Sequence, residues 1–220
     1  NVGTVSSSIT YIGENVSSSN NSVLVTGGGS LSSSSSITVG YSGSGNSFTI
    51  SNLGTVSSTI TYIGADETSS NNRVVVTGNG SLWTNSSDLY VGYYGSQNRL
   101  VISNGGNMAV VGDVYGMAIG YGANASNNSA LVTGGGSVLS NNCNLNVGYG
   151  GSYNTLTISD GATVYSGTGN DDYGSGVGNG TGANGNTVLI TGDGSWVSTD
   201  NTGFNIGWGG SSNSLVISNG

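Results

Sequence analysis

A six-residue motif recurs eight times along the chain and constrains its fold more than any other feature. The motif is Asn-x-apolar-x-Ile/Val-Ser/Thr, as in Asn46–Ser51. Its first residues are Asn21, Asn46, Asn72, Asn98, Asn128, Asn154, Asn186 and Asn213. Successive copies begin 25 to 32 residues apart. A period of this length is typical of a solenoid, in which structural repeats stack along one axis.

Each repeat contains three short apolar segments separated by turns rich in Gly, Ser and Asn, which is the pattern of β-strands. In Asn46–Ser51, for example, alternation places Phe48 and Ile50 on one face. Three strands in about 28 residues predict an all-β fold, a right-handed parallel β-helix (β-solenoid) of about eight coils. We predict one domain over 1–220, made of two-coil repeats at about 1–51, 52–103, 104–159 and 160–220.

The eight motif asparagines are predicted to form a column, named here the asparagine ladder. Stacked coils lie ~4.8 Å apart, so equivalent residues of successive coils lie directly above one another. A side-chain amide carries both donors and an acceptor, and each asparagine can therefore bond to the coil on either side. We expect the ladder to be structural.

The second strand of each coil is predicted to send one large apolar side chain inward and a small residue two positions later. The large residues are Leu31, Val56, Leu82, Met108, Val138, Val164 and Trp196. The small residues are Ser33, Ser58, Thr84, Ser140, Ser166 and Ser198, with Val110 as the exception. The third strand ends in an apolar residue followed by glycine, as at Ile63 and Gly64.

Two rows of outward residues are candidate binding surfaces. The middle outward position of the first strands is aliphatic in six coils, and we name this set the contact stripe: Leu24, Val75, Val101, Leu131, Leu189 and Val216. Either β-propensity on a thin rod or contact with a partner, a glycan or a neighbouring rod explains it. The second set, a candidate aromatic binding row, follows the third strand: Tyr41, Tyr93, Tyr149 and Trp208, with Tyr121 between.

Composition argues against several functions. The net charge is −8, and Arg73 and Arg99 are the only basic residues, which disfavours binding to nucleic acid or to anionic membranes. No run approaches the ~20 apolar residues that span a bilayer, so this segment is not expected to insert into a membrane. Cys143 is a lone cysteine and allows no intrachain disulfide.

Catalytic constellations are also difficult to build from this sequence. It contains neither Lys nor His, which excludes a Ser-His-Asp triad and leaves few bases for polysaccharide cleavage. Asp171 and Asp172 are a close carboxylate pair, but adjacent side chains normally diverge. We therefore predict that the chain is not an enzyme and uses no cofactor.

The longest insertion contains Asn170, Asp171 and Asp172 and resembles one copy of the calcium-binding nonapeptide repeat. Such sites share ligands between stacked copies, and here there is one copy. We predict no metal site, with Ca²⁺ at these three residues as the alternative to a plain acidic loop.

The alternating segments VTGGGSVL, VGYGGS and NSLVISNG resemble the tandem β-strand repeats of bacterial surface and secreted proteins, of the autotransporter-associated and exosortase-sorted (PEP-CTERM) kind. The resemblance spans essentially the whole chain. It implies an extracellular or cell-surface location and a role as a structural fibre, stalk or filament subunit. A glycan- or surface-binding adhesin module is the alternative, and a polysaccharide-active β-helix enzyme comes third. The expected partners are further copies of the chain, flanking repeats or extracellular glycans.

The repeat phase at the two ends leads to a further expectation. Residues 1–7 match residues 52–58 except for Val2 in place of Leu53, and Asn219 again has the phase of Asn52. We therefore expect β-pairing to continue past the ends, either between separate chains or within a longer repeat protein.

Overall fold

A computed structural model describes residues 2–112, 115–167, 174–199 and 203–219, and all of their regular secondary structure is β-strand. The first eleven strands are β1 (Thr4–Ile12), β2 (Ser22–Val25), β3 (Ser30–Val39), β4 (Ser47–Ser51), β5 (Thr55–Ser58), β6 (Ile60–Ile63), β7 (Arg73–Thr77), β8 (Leu82–Asn85), β9 (Leu89–Val91), β10 (Arg99–Ser103) and β11 (Asn107–Val110). The others are β12 (Met117–Ile119), β13 (Ser129–Thr133), β14 (Val138–Asn141), β15 (Leu145–Val147), β16 (Thr155–Ser159), β17 (Thr163–Ser166), β18 (Ser175–Val177), β19 (Thr187–Thr191), β20 (Ser195–Ser198), β21 (Phe204–Ile206) and β22 (Ser214–Ser218). Within these ranges no helix is long and apolar enough to cross a membrane.

The strands stack as eight coils, numbered from the N-terminus, and each numbered coil runs from a second through a third to a first strand: β1–β2, β3–β4, β5–β7, β8–β10, β11–β13, β14–β16, β17–β19 and β20–β22. The first strands of the coils form an eight-stranded sheet in the order β2-β4-β7-β10-β13-β16-β19-β22. The second and third strands form a 14-stranded sheet in which β5 and β6 both pair with β3. The pairings of both sheets are parallel, and each strand pairs with its counterpart one coil away. The prediction of an all-β parallel solenoid of about eight coils is confirmed.

The first two coils differ from the expected three short strands. Strands β1 and β3 each run through both the second and the third strand positions, and they pair with each other over their whole length, with a register shift between Ser7 and Ile9. In these coils runs of serine join the two positions without an intervening Gly or Asn. Coil 3 also lacks Gly and Asn here, but its strand breaks at Thr59, and the sequences of coils 4 to 8 contain Gly or Asn at this corner.

The core lies between the two sheets and is built as columns. One column comprises Val23, Phe48, Val74, Leu100, Ala130, Leu156, Val188 and Leu215. The next inward column comprises Val25, Ile50, Val76, Ile102, Val132, Ile158, Ile190 and Ile217. In the middle coils both columns are buried, so each coil contributes apolar area that only its neighbours can cover.

The predicted inward row of the second strands is wrong in coils 4 and 6. Trp83, and not Leu82, pairs with Val56 and Met108. Likewise Leu139 stands in the row where Val138 was predicted. Trp83 is fully buried, whereas Leu82 is 39% exposed.

A longer turn explains this shift. In coil 2 the turn closes with a hydrogen bond from the N–H of Gly29 to the carbonyl of Thr26. In coil 4 the equivalent bond runs from Ser81 to Gly78, one residue later in the TGxGS motif. One extra turn residue reverses which side chains of the following strand point inward, since successive residues alternate between faces.

The same shift also changes which residues occupy the second inward position of these strands. Asn85 and Asn141, rather than Thr84 and Ser140, occupy the inward position, and both are buried. Asn141 donates through Nδ2 to the carbonyls of Cys143 and Asn144, both at 2.8 Å. These asparagines thus satisfy backbone groups at the corner before the third strand, where an apolar residue would leave them unpaired.

Candidate functional site

The asparagine ladder runs through the turn that precedes each first strand. In each of the seven steps, Oδ1 of one asparagine accepts the backbone N–H of the preceding asparagine, at 2.8 to 3.0 Å. The same Oδ1 accepts Nδ2 of that asparagine, at 3.0 to 3.2 Å. Asn46 to Asn186 are fully buried. The turn is therefore held by amide groups that share one acceptor per coil.

The glycine at the end of each third strand leaves space for the ladder and positions the residue that follows it. Backbone hydrogen bonds from Tyr93 to Gly64, from Tyr121 to Gly92 and from Tyr149 to Gly120 keep this next residue in register, at 2.9 to 3.0 Å. The position after the glycine is Glu14, Tyr41, Ala65, Tyr93, Tyr121, Tyr149, Asn179 and Trp208 in coils 1 to 8. It contains every residue of the predicted aromatic row.

Three members of this row form a continuous column, named here the tyrosine stack: Tyr93, Tyr121 and Tyr149. Their ring centroids are 4.9 and 5.0 Å apart, and the ring planes differ by 9° and 4°. The spacing is close to the ~4.8 Å between coils, so each coil contributes one ring. Stacked aromatic pairs stabilise a fold by about 0.5–1.5 kcal/mol beyond their burial.

A second pair of tyrosines supports the stack from the side, and the sequence analysis missed it. Tyr62 and Tyr90 occupy the middle of neighbouring third strands, and their rings stack at 5.5 Å. Tyr90 meets Tyr93 and Tyr121 edge-on, with centroid distances of 4.8 and 5.1 Å. The signal was the alternation within β6 and β9, which places Tyr62 between the inward Thr61 and Ile63, and Tyr90 between the inward Leu89 and Val91.

The environment of the cluster keeps its phenol groups neutral. Burial raises the pKa of Tyr90, and the nearby Asp88 carboxylate raises it further. The Tyr90 hydroxyl lies 3.4 Å from Oδ2 of Asp88 and donates to it. Burial, followed by a hydrogen bond with Tyr94, raises the pKa of Tyr93 to about 12. A tyrosine is already uncharged at neutral pH, and these shifts keep Tyr90 and Tyr93 uncharged above pH 10 as well.

Two gaps interrupt the aromatic row, and a cavity lies at each of them. Ala65 stands between Tyr41 and Tyr93, where a cavity of about 430 Å³ is lined by these three residues and by others including Tyr11 and Asp66. Asn179 stands between Tyr149 and Trp208, where a second cavity has about 260 Å³. The structure therefore brings Tyr93 and Tyr149 together through Tyr121, whereas Tyr41 and Trp208 are set apart from the stack.

The contact stripe forms one register column on the outer face of the eight-stranded sheet. Its exposure is uneven. Leu24 is 62% exposed and Val216 43%, whereas Val75 and Val101 in the middle coils are buried, at 8% and 6%. Contact through this stripe stays a prediction.

The remaining candidates are placed as follows. Asn170, Asp171 and Asp172 lie outside the described residues. Within the described ranges, no group of three or more His, Cys, Asp and Glu could hold a metal ion. Arg73 and Arg99 are exposed register partners on adjacent coils. Cys143 is buried, and its Sγ donates to the carbonyl of Gly112.

Comparisons with known proteins add little to this geometry. No family model matches the chain, and no curated protein matches it. A solved structure to which it is similar is the crystal structure of a TibC-catalysed hyper-glycosylated fragment of TibA. That match has 14% sequence identity and a TM-score of 0.37, and it covers 98% of this chain and 82% of the other. A similarity of this size supports no conclusion about function.

Proposed function

We propose that this solenoid is a structural element of an extracellular bacterial fibre, stalk or filament. The observation that carries the proposal is the unbroken parallel register from β2 to β22 and from β1 to β21, in which each coil pairs with the next. A repeat of this kind is stabilised mainly by its neighbours, so its length can grow without a new core design.

The asparagine ladder suits such a role. A buried amide column fixes the register at every coil, because a slipped coil would leave several buried donors without acceptors. Self-association belongs to the same proposal, either through the contact stripe or by continued coil pairing. No catalytic role is proposed.

Surface labelling tests the location. Antibodies raised against the chain are expected to label intact cells of the bacterium that produces it. Labelling that appears only after lysis would contradict the proposal. Electron microscopy of the labelled cells then tests the fibre, because the label should follow extended surface structures.

Glycan or surface binding is the second candidate function, and the tyrosine stack with its two flanking cavities favours it. Ligand cavities are lined predominantly by hydrophobic and aromatic side chains, with a few polar groups that orient the ligand. A screen against surface polysaccharides with product detection separates the hypotheses. Saturable binding without product indicates a binding module, and released product indicates an enzyme. If neither is observed, the structural fibre remains the hypothesis.

A further inference from the structure

We propose that the two gaps in the aromatic row are sugar-binding slots, and that together they hold one neutral polysaccharide chain along the rod. The slot at Ala65 is named slot 1 and the slot at Asn179 is named slot 2. This inference rests on the second candidate function and specifies its ligand class and its residues.

Slot 1 has the thickness of one ring. Tyr41 and Tyr93 stand two coils apart, about 9.6 Å at ~4.8 Å per coil. In the tyrosine stack the same interval between Tyr93 and Tyr149 is filled by the ring of Tyr121, at 4.9 and 5.0 Å from its neighbours. Ala65 contributes no ring at the equivalent place in coil 3, and a cavity lies there whose walls include Tyr62 and Tyr94. A flat ring from a ligand can therefore occupy it.

The walls of slot 1 combine ring faces with polar groups. Tyr121 stacks on one face of Tyr93, so the opposite face is turned toward coil 3. Ser36, Thr38 and the exposed Asp66 carboxylate line the same cavity. A pyranose ring fits these walls, because its C–H face can pack on an aromatic face while its rim hydroxyls form hydrogen bonds.

Slot 2 is lined by an asparagine where slot 1 has an alanine. Asn179 lines this cavity and is only 3% exposed. Its Nδ2 donates to Oδ1 of Asn146 at 2.5 Å and to the carbonyl of Gly174 at 3.3 Å. Its Oδ1 has no donor among the described residues. This oxygen is itself shielded from solvent and lies 2.5 Å from the place that a Cβ would take on Gly176, so a ligand in slot 2 would instead contact Tyr149, Thr181 and Trp208.

The charges of the two slots favour a neutral ligand. Slot 1 is lined by one carboxylate, Asp66, whereas the described residues that line slot 2 are Tyr149, Asn179, Thr181, Trp208 and two glycines, none of them charged. An organic cation could use aromatic faces and a carboxylate at slot 1, but the described lining of slot 2 offers it no charge. The net charge of −8 disfavours a polyanion. A neutral polyhydroxylated ring is the chemistry that both slots share.

The distance between the slots predicts bivalent binding. Ala65 belongs to coil 3 and Asn179 to coil 7, four coils apart, or about 19 Å at ~4.8 Å per coil. The tyrosine stack lies between them on the same face. A polysaccharide chain running along the rod can occupy both slots at once, and its second contact is then intramolecular.

Native gel electrophoresis tests the proposal with dextran, galactomannan or hydroxyethyl cellulose dissolved in the gel and with alginate as the anionic comparison. The protein is expected to be retarded by at least one neutral polysaccharide. Ala65→Tyr fills slot 1, and Tyr41→Ala and Trp208→Ala each remove a wall. Each substitution is expected to weaken binding about tenfold. The matched control is Tyr165→Ala, which removes an exposed tyrosine from the second-strand face.

Oligosaccharides cut from the retarding polysaccharide test the bivalence. Affinity should rise by about 10² once the chain length spans both slots, and this rise should vanish in Ala65→Tyr. Ala65→Tyr should keep or raise the melting temperature. In coil 4 the rings of Tyr90 and Tyr93 pack edge-on, and the substituted tyrosine in coil 3 would pack against Tyr62 in the same way. If Ala65→Tyr does not fold, the polysaccharide binding of Tyr41→Ala and Trp208→Ala tests the proposal instead.

Three results would overturn the inference. If the parent binds and the slot variants bind equally well, the slots are wrong while glycan binding survives. If none of the neutral polysaccharides retards the parent, both the slots and the second candidate function are wrong. If choline chloride quenches the aromatic emission of the parent but not of Ala65→Tyr, slot 1 takes a cation.

Discussion

A Cβ atom added to Gly64 would lie 2.1 Å from Nδ2 of Asn98 and 2.5 Å from its Cγ. Gly64 also has a φ of +79°, a conformation that glycine adopts without strain. The equivalent glycine of each coil from Gly13 to Gly178 faces the ladder asparagine of the next coil in the same way, at 2.0 to 2.2 Å. The end of the third strand and the asparagine ladder are therefore one structural unit.

Gly64→Ala should destabilise the protein by roughly 2–4 kcal/mol, because it combines backbone strain with displacement of a buried amide. Denaturant unfolding measures the change. The control is Gly135→Ala, where a Cβ meets no atom within 4 Å and φ is not in the left-handed region. Equal stability of the two variants would show that the glycine and the ladder are not coupled.

Asn98→Ala should cost about 1–3 kcal/mol. The substitution removes the acceptor of the backbone N–H and of Nδ2 of Asn72, both at 3.0 Å, and these donors are buried. Ser35→Ala is the control, since Ser35 is exposed. Chemical denaturation of both variants checks the difference, and a cost below that of the serine variant would contradict a structural ladder.

The register in coil 4 predicts a large loss of stability for one residue and a small loss for its neighbour. Trp83→Ala should cost about 3–5 kcal/mol, because it empties a fully buried position beside Phe48 and removes the hydrogen bond from Nε1 to Ser58 at 3.0 Å. Leu82→Ala should cost less than about 1 kcal/mol, because Leu82 is 39% exposed. Thermal unfolding of the two variants measures both losses of stability. A larger loss for Leu82→Ala than for Trp83→Ala would support the register predicted from the sequence.

Much of the fold could be predicted from the sequence because the repeat itself is a geometric constraint. The alternation around Phe48 and Ile50 defines the inward face, and eight copies of it define the coils. Trp83 and Leu139 could not be placed, since nothing in the TGxGS motif shows whether its serine belongs to the turn or to the strand. That choice depends on hydrogen bonds such as the one from Ser81 to Gly78.

The candidate site was partly predictable for the same reason. A shared position after the third-strand glycine put Tyr93, Tyr121 and Tyr149 in one row. The slots were not predicted, because they depend on what Ala65 and Asn179 leave open between neighbouring coils. Ala65 and Asn179 belong to no motif that would mark a binding site in the sequence.

The tyrosine cluster predicts a dependence of stability on pH in the alkaline range. In the folded protein the pKa of Tyr93 is raised to about 12 and that of Tyr90 is also raised, whereas an unfolded tyrosine has a pKa near 10. Between about pH 10 and 12 the unfolded chain therefore binds fewer protons than the folded one. The free energy of unfolding should fall as pH rises through this window and be insensitive to these groups below it.

Absorbance at the phenolate band follows this titration directly. A fraction of the tyrosines should resist ionisation above pH 10 in the folded protein and lose that resistance in concentrated guanidinium chloride. A single folded-state transition near pH 10 would show that the cluster is open to water.

The central claim is that the coils stack in one register, with Arg73 directly paired with Arg99, and paired cysteines test it most directly. Parallel neighbours lie ~4.8 Å apart, within the range of about 4.4–6.8 Å that a disulfide accepts between Cα atoms. The in-register variant carries Arg73→Cys and Arg99→Cys. The shifted control carries Arg73→Cys and Ser103→Cys, which puts the second cysteine four residues further along β10, roughly 13 Å away. Under mild oxidation the account predicts an intramolecular disulfide in the first variant and none in the second, as read by mass spectrometry. A disulfide in the shifted variant but not in the in-register one would contradict it.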